Sequence, residues 1–150
     1  MSPAADNPPV LPHWPPGTVL VLVTAGDDPH AIPISAAVRA GDRHVLLGLA
    51  GGRGSLARLR ADPRVALAIN AAGDVAVTAS GTARVLDDEL VDGVAAVELS
   101  VDRVQDHNRA TFVIEDGVRW RWTDPEAEER DARVREALAD LADGRRERQG

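Results

Sequence analysis

Cysteine and tyrosine are absent from this 150-residue chain, and phenylalanine and methionine occur once each. Without cysteine there can be no disulfide, no thiolate metal centre and no thiol nucleophile. With so few rings the core must be filled by Ala, Val and Leu, and the three tryptophans hold most of the aromatic contact area. The four histidines (His13, His30, His44, His107) are scattered, and no pair has metal-ligand spacing, so no metal site is expected. No apolar run approaches the ~18 residues that would span a bilayer. The N-terminus lacks the basic start and apolar stretch of a secretory leader. Together these absences point to a cytoplasmic protein without a membrane segment. The formal net charge of -7 argues against nucleic acid as the main partner.

What is present reads mainly as β-structure. Residues 1–16 carry six of the ten prolines and are expected to form an extended arm, either anchored by Trp14 or left as a loose tail. A single domain is expected over 17–143. A Val/Leu run from Gly17 to Ala25 suits a buried strand. His30 to Ala40 alternates, with Ile32, Ile34, Ala36 and Val38 on one face, as a second strand does. Pro33 lacks an N–H, so that strand must lie at an edge, carry a bulge or turn toward a ligand. Arg43 to Ala50 is the third strand, and Ser55 to Ala61 a short helix capped by Ser55 and stopped by Pro63. Val65 to Ala71, Val75 to Leu86 and Val94 to Gln105 follow as strands, with a bulge or bend suggested at Gly81 and a polar connection, with room for one helical turn, over Asp87 to Gly93. Asp116-Gly117 predicts a hairpin between Thr111–Ile114 and Val118–Trp122. A helix over 124–143 follows, with Asp124 as cap, a stripe of Val134, Leu138 and Leu141, and a stop at Gly144. Residues 144–150 are expected to be a disordered tail. Hairpin-linked strands in this order predict an antiparallel β-barrel with a short helix after the third strand and a C-terminal helix.

The chemistry concentrates between Arg43 and Val65. Gly52-Arg53-Gly54-Ser55-Leu56-Ala57 matches a dinucleotide fingerprint, with Asp74 further on. Pro63 leaves too short a helix for a parallel crossover, so that reading is rejected. What survives is a Gly-rich turn entering a helix, where N–H groups favour an anion and Arg53 and Arg58 add charge. A plain tight turn with solvated arginines stands beside it as an equal alternative. Ser80 lacks the nucleophile-elbow pattern, and no Ser–His–Asp order emerges, so no catalytic residue can be assigned. His107 sits at a strand end, open to a ligand or merely exposed. Trp120 and Trp122 share a strand face, where they fill the barrel, pack at an interface or border a planar cofactor.

Pro33-Ile34-Ser35, the run Arg53-Gly54-Ser55-Leu56-Ala57-Arg58-Leu59-Arg60 and the run Asp62-Pro63-Arg64-Val65-Ala66-Leu67 together resemble the pyridoxamine 5′-phosphate oxidase-like superfamily. The resemblance implies a split β-barrel homodimer holding FMN, or a deazaflavin, at the subunit interface. It implies an oxidoreductase, a flavoprotein moving hydride to or from a small molecule. By position, Ile34 and Ser35 would lie by the ring, Leu49 and Ala50 by the ribityl chain, and Arg53, Gly54 and Ser55 at the phosphate, with Arg58 near. On the separate reading of the tryptophans as cofactor neighbours, Trp120 or Trp122 would border that ring. Ser55 stands where the family usually has a lysine, so the charge would rest on Arg53. That departure keeps a second reading in view, a non-catalytic dimeric barrel taking haem or another planar ligand.

Overall fold

The computed structural model describes residues 9–52 and 54–149, with side chains described as far as residue 145. Its sheet has seven strands, all paired antiparallel, in the order β2-β1-β5-β6-β7-β4-β3. These are β1 (Leu20–Thr24), β2 (His30–Ile34), β3 (Ala37–Arg39), β4 (His44–Ala50), β5 (Arg64–Ala71), β6 (Val75–Val91) and β7 (Val94–Asp106). Helix α1 (Gly54–Ala61) lies between β4 and β5, and helix α2 (Pro125–Gln149) follows β7. Hairpins join β1 to β2 and β3 to β4, so a parallel nucleotide-binding sheet is ruled out.

The closure of the sheet follows from one short joint. β2 and β3 stand at opposite ends of the strand order, yet only Ser35 and Ala36 separate them in the chain. The sheet must therefore curl until its two edges nearly meet, which makes a split barrel. The sequence predicts one strand over His30–Ala40, at an edge, bulged or turned toward a ligand at Pro33; instead the chain leaves the edge of β1 at Ile34 and joins the edge of β4 at Ala37. Pro33 sits in the edge strand, where its missing N–H costs no ladder bond. The short helix consequently follows four strands rather than three.

Alternation sets the inner core. Leu20 and Leu22 of β1, Val45, Leu47 and Leu49 of β4, Leu67 and Ile69 of β5, and Val97 and Leu99 of β7 pack inside, and Leu56 and Leu59 of α1 close one end. β1 is buried on one face only, with Val21 37% exposed, whereas the sequence suggested a strand buried throughout. Gly81 sits at a register shift in β6, as predicted, and a Cβ there would come 1.9 Å from the Ser100 carbonyl oxygen.

Helix α2 covers the outer face. Val134, Leu138 and Ala142 pack on Ala36, Leu46 and Ala96, and Leu141 joins them. This explains why β4 and β7 are apolar on both faces. The same cover corrects the predicted polar connection over Asp87–Gly93. Leu86, Leu90 and Val91 pack against this cluster, so β6 runs on to Val91 through irregular pairing despite its acidic residues. Asp124 caps α2 through a bond from the Glu126 N–H, and the helix continues past Gly144, where the sequence ended it.

The predicted Asp116-Gly117 hairpin does not form. The Val118 carbonyl accepts from the Val19 N–H, Arg119 bridges to Thr18, and the Ile114 N–H donates to Asp74. These segments bond to the barrel instead of to each other. Gly117 lies so close to Asn70 that a Cβ would stand 2.1 Å from its carbonyl oxygen. The Pro-rich arm is docked from Leu11 onward, with Leu11 buried and Trp14 donating to the Ala37 carbonyl; its first eight residues lie outside the described residues.

Candidate functional site

The β2–β3 joint, the end of β4 and the first half of α2 enclose a groove of about 570 Å³. Its walls are Ile32, Pro33, Ile34 and Ser35 on one side and Gly48, Leu49 and Ala50 on another. Trp120 and Trp122 form a third wall, their rings edge to face with centroids 5.6 Å apart. The groove is mostly apolar, as sites for planar ligands commonly are. Ile34, Ser35, Leu49, Ala50, Trp120 and Trp122, from three separate stretches of sequence, thus converge. Trp120 is 42% exposed and neither indole enters the barrel core, so the barrel-filling alternative is removed.

The anion-binding candidates lie elsewhere. Gly54 opens α1, but Ser55 is inside the first turn and 1% exposed, so it is a buried packing residue rather than the cap expected. Arg58 donates to the Asp28 carbonyl at 2.8 Å, across to the β1–β2 turn. Arg53 lies outside the described residues. The α1 entrance does adjoin the groove, because the Gly51 N–H donates to Gly93, which lines it.

The Asp62-Pro63-Arg64 run has a local role. Asp62 Oδ1 accepts from the Arg64 N–H and Nε, both at 3.1 Å, and Oδ2 from Nη2 at 2.7 Å. These side-chain bonds pull the Asp62 carboxyl down to about 2. The clasp turns the chain from α1 into β5 once Pro63 has stopped the helix.

Helix α2 contributes a wall that the sequence did not reveal. Ala127, Arg130, Asp131 and Val134 line the groove, and Asp92 and Gly93 of the β6–β7 turn border it. Ser35 Oγ donates to Asp131 Oδ1 at 2.6 Å, and Arg135 Nε donates to Asp131 Oδ2 at 2.9 Å. Asp131 and Arg135 do not stand out in the sequence, because an i, i+4 charge pair on a helix carries no signal that sets it apart from solvated surface pairs. His107 lies apart from the groove and meets Thr78 at 2.8 Å through Nε2. Among the described residues no group of three or more His, Asp or Glu is placed to hold a metal ion, and no helix is long and apolar enough to cross a membrane.

No family model and no curated protein matches the chain. Solved structures do. A putative pyridoxamine 5′-phosphate oxidase from Listeria innocua is 16% identical, over 61% of this chain and 90% of that one, with a TM-score of 0.52. A FAD-binding protein from Mesorhizobium loti is 17% identical, over 58% and 83%, with a TM-score of 0.50. HupZ from Group A Streptococcus is 9% identical, over 67% and 90%, with a TM-score of 0.54. At these identities the likeness is one of fold. The chain is a split β-barrel of the kind found in the pyridoxamine 5′-phosphate oxidase-like proteins.

Proposed function

We propose that the groove holds the ring of a flavin, FMN first and a deazaflavin as its close variant, and that the chain is an oxidoreductase acting on a small molecule. The observation that carries this reading is the convergence of Ile34-Ser35, Leu49-Ala50 and Trp120/Trp122 on one apolar cleft. Apolar walls and an indole pair suit a planar heteroaromatic system, and the ring half of the cofactor fits these residues. The Mesorhizobium loti protein named as FAD-binding shares the fold and supports the choice of cofactor class.

When bound, a flavin supplies hydride transfer, and the barrel need supply no nucleophile. The part left to this chain is holding and orienting. Ile34 and Leu49 exclude water, and Ser35 presents a polar group fixed by Asp131 at the ring wall. Phe112 and Val113 are 43% and 72% exposed in the segment that leads to Trp120, which supports a homodimer contact.

The test is reconstitution of the full chain with FMN. Binding should shift the flavin absorbance and raise Tm, and Trp120→Ala should weaken it by about threefold to tenfold for a lost aromatic contact. A deazaflavin is tested in parallel. If neither ligand changes absorbance or Tm, the reading fails.

A second reading has its own observation. Ser55 is buried and Arg58 is engaged with Asp28, so neither is offered to a phosphate. A non-catalytic barrel taking haem or another planar ligand without a phosphate matches this. A Soret band on mixing with haemin, with no response to FMN, would select it.

A further inference from the structure

Beyond the two tryptophans lies a second cavity of about 290 Å³, lined by Arg119, Arg121 and Arg135 together with Glu128. It shares Ser35, Trp120, Trp122 and Asp131 with the ring groove, so the two spaces are neighbours across one wall. We propose that this cavity is an anion subsite, taking the carboxylate or phosphate group of the molecule whose flat part lies in the groove.

The charges support it. Arg135 is tied to Asp131 by an ion pair of 2.9 Å, and Ser35 occupies the other carboxylate oxygen, so Asp131 is satisfied and its negative charge offset. Among the described residues no carboxylate lies within ion-pair distance of Arg119 or Arg121. With Arg135 and Asp131 paired to each other, the guanidinium groups of Arg119 and Arg121 face the space against the one remaining carboxylate, Glu128. In a chain of net charge -7, two uncommitted arginines beside an aromatic wall are a local inversion of sign. Guanidinium forks match carboxylate and phosphate oxygens in pairs, and the backbone that carries them is pinned by the Thr18–Arg119 bridge. The wall residues give the ligand its second requirement, a flat group next to the anion.

In placing the flat part of the ligand in the groove the proposal rests on the flavin reading, but the anion subsite can be tested without flavin. The probe is benzoate, with benzyl alcohol as its neutral counterpart, added to the full chain at constant ionic strength. Tryptophan emission in a Trp14→Phe background reports on Trp120 and Trp122 alone. Benzoate should perturb the emission saturably and benzyl alcohol should do so at least tenfold more weakly. The Arg119→Gln/Arg121→Gln double variant, at exposed positions, should lose tenfold or more of the benzoate affinity while keeping its circular dichroism, and Arg→Lys at both should recover part of it. Equal binding of the two probes, or unchanged benzoate binding in the double variant, overturns the proposal. A second arm compares FMN with riboflavin. Loss of FMN but not riboflavin affinity in the double variant assigns the anion to the cofactor's phosphate, and equal affinities with benzoate binding lost assign it to a substrate. Benzoate binding with no flavin binding upholds the subsite while removing the flavin reading.

Discussion

Ser35 and Asp131 lie 96 residues apart in the chain and are joined by a 2.6 Å hydrogen bond at the edge of the groove. Ser35 belongs to the joint where the barrel switches from one sheet edge to the other, and Asp131 to the helix laid over its outer face. One bond therefore links the ring wall to α2. A hydrogen bond to a charged acceptor contributes about 1.5–3 kcal/mol. Asp131→Ala should lower stability by about 2 kcal/mol in urea denaturation, because Arg135 loses its partner as well. Ser35→Ala should cost about 1.5 kcal/mol, and the double variant should show clear non-additivity. Additive losses would mean that the bond does not couple helix to barrel.

Gly81 and Gly52 give opposite expectations for the same substitution. A Cβ at Gly81 would collide with the Ser100 carbonyl, which is backbone and cannot swing away, whereas nothing lies within 4 Å of a Cβ at Gly52. Gly81→Ala should destabilise by about 3 kcal/mol or more, near the upper end for overpacking. Gly52→Ala should lie within about 0.5 kcal/mol of the parent, as surface changes usually do. Thermal melts of the two variants side by side decide the matter, and equal Tm values would contradict the bulge geometry.

Glu98 points out of the barrel beneath α2, with its side chain 3% exposed, and both Arg84 and Arg145 pair with it. Arg145 comes from the far end of α2, so the carboxylate holds the helix end to β7. Removing one partner of a buried ion pair strands the others, at a cost of about 3–5 kcal/mol. Glu98→Ala should fall in that range, since two guanidinium groups lose their acceptor. Arg84→Ala should cost less, because Arg84 is 69% exposed and Arg145 still neutralises the carboxylate. Hydrogen exchange of α2 amides should rise in the Glu98 variant; unchanged protection would show that the helix is held by its apolar stripe alone.

His44 at the start of β4 titrates below its ordinary value of 6.5, first because it is partly buried and then because Arg145, Arg43 and Arg84 repel its positive form. The folded chain therefore favours the neutral imidazole, and below 6.5 the unfolded chain binds the proton first. The stability is fully present above the unfolded value and is lost as pH falls through the lower, folded one. Urea midpoints measured from about pH 7.5 to about pH 5 should decline in the parent and decline less in His44→Gln. Identical slopes would remove His44 as a source of the acid sensitivity.

Much of the fold was legible because alternation is local. The Val75–Val85 face, the Val134/Leu138 stripe and the Gly81 bulge depend on neighbours in sequence and on glycine's lack of a Cβ. The failures share a cause. Asp87 to Val91 carries acidic residues that disfavour a strand, but the shelf made by β7 and α2 imposed one. Asp116-Gly117 carries a hairpin signal, but Asn70, Asp74 and Val19 claimed the backbone of its flanks.

The sequence by itself determined a mainly β chain, the choice at Pro33 between an edge, a bulge and a ligand-facing turn, and the stop at Pro63. These are consequences of period, of a missing N–H and of a fixed φ, all written in a few adjacent residues. Only the tertiary structure decided that Ser55 is buried, that Asp131 closes the groove, and that Arg119 and Arg121 face a cavity beside Trp120 and Trp122. A sheet curled until β2 and β3 meet brings segments far apart in sequence to one wall, and no local pattern encodes which charges will then be neighbours.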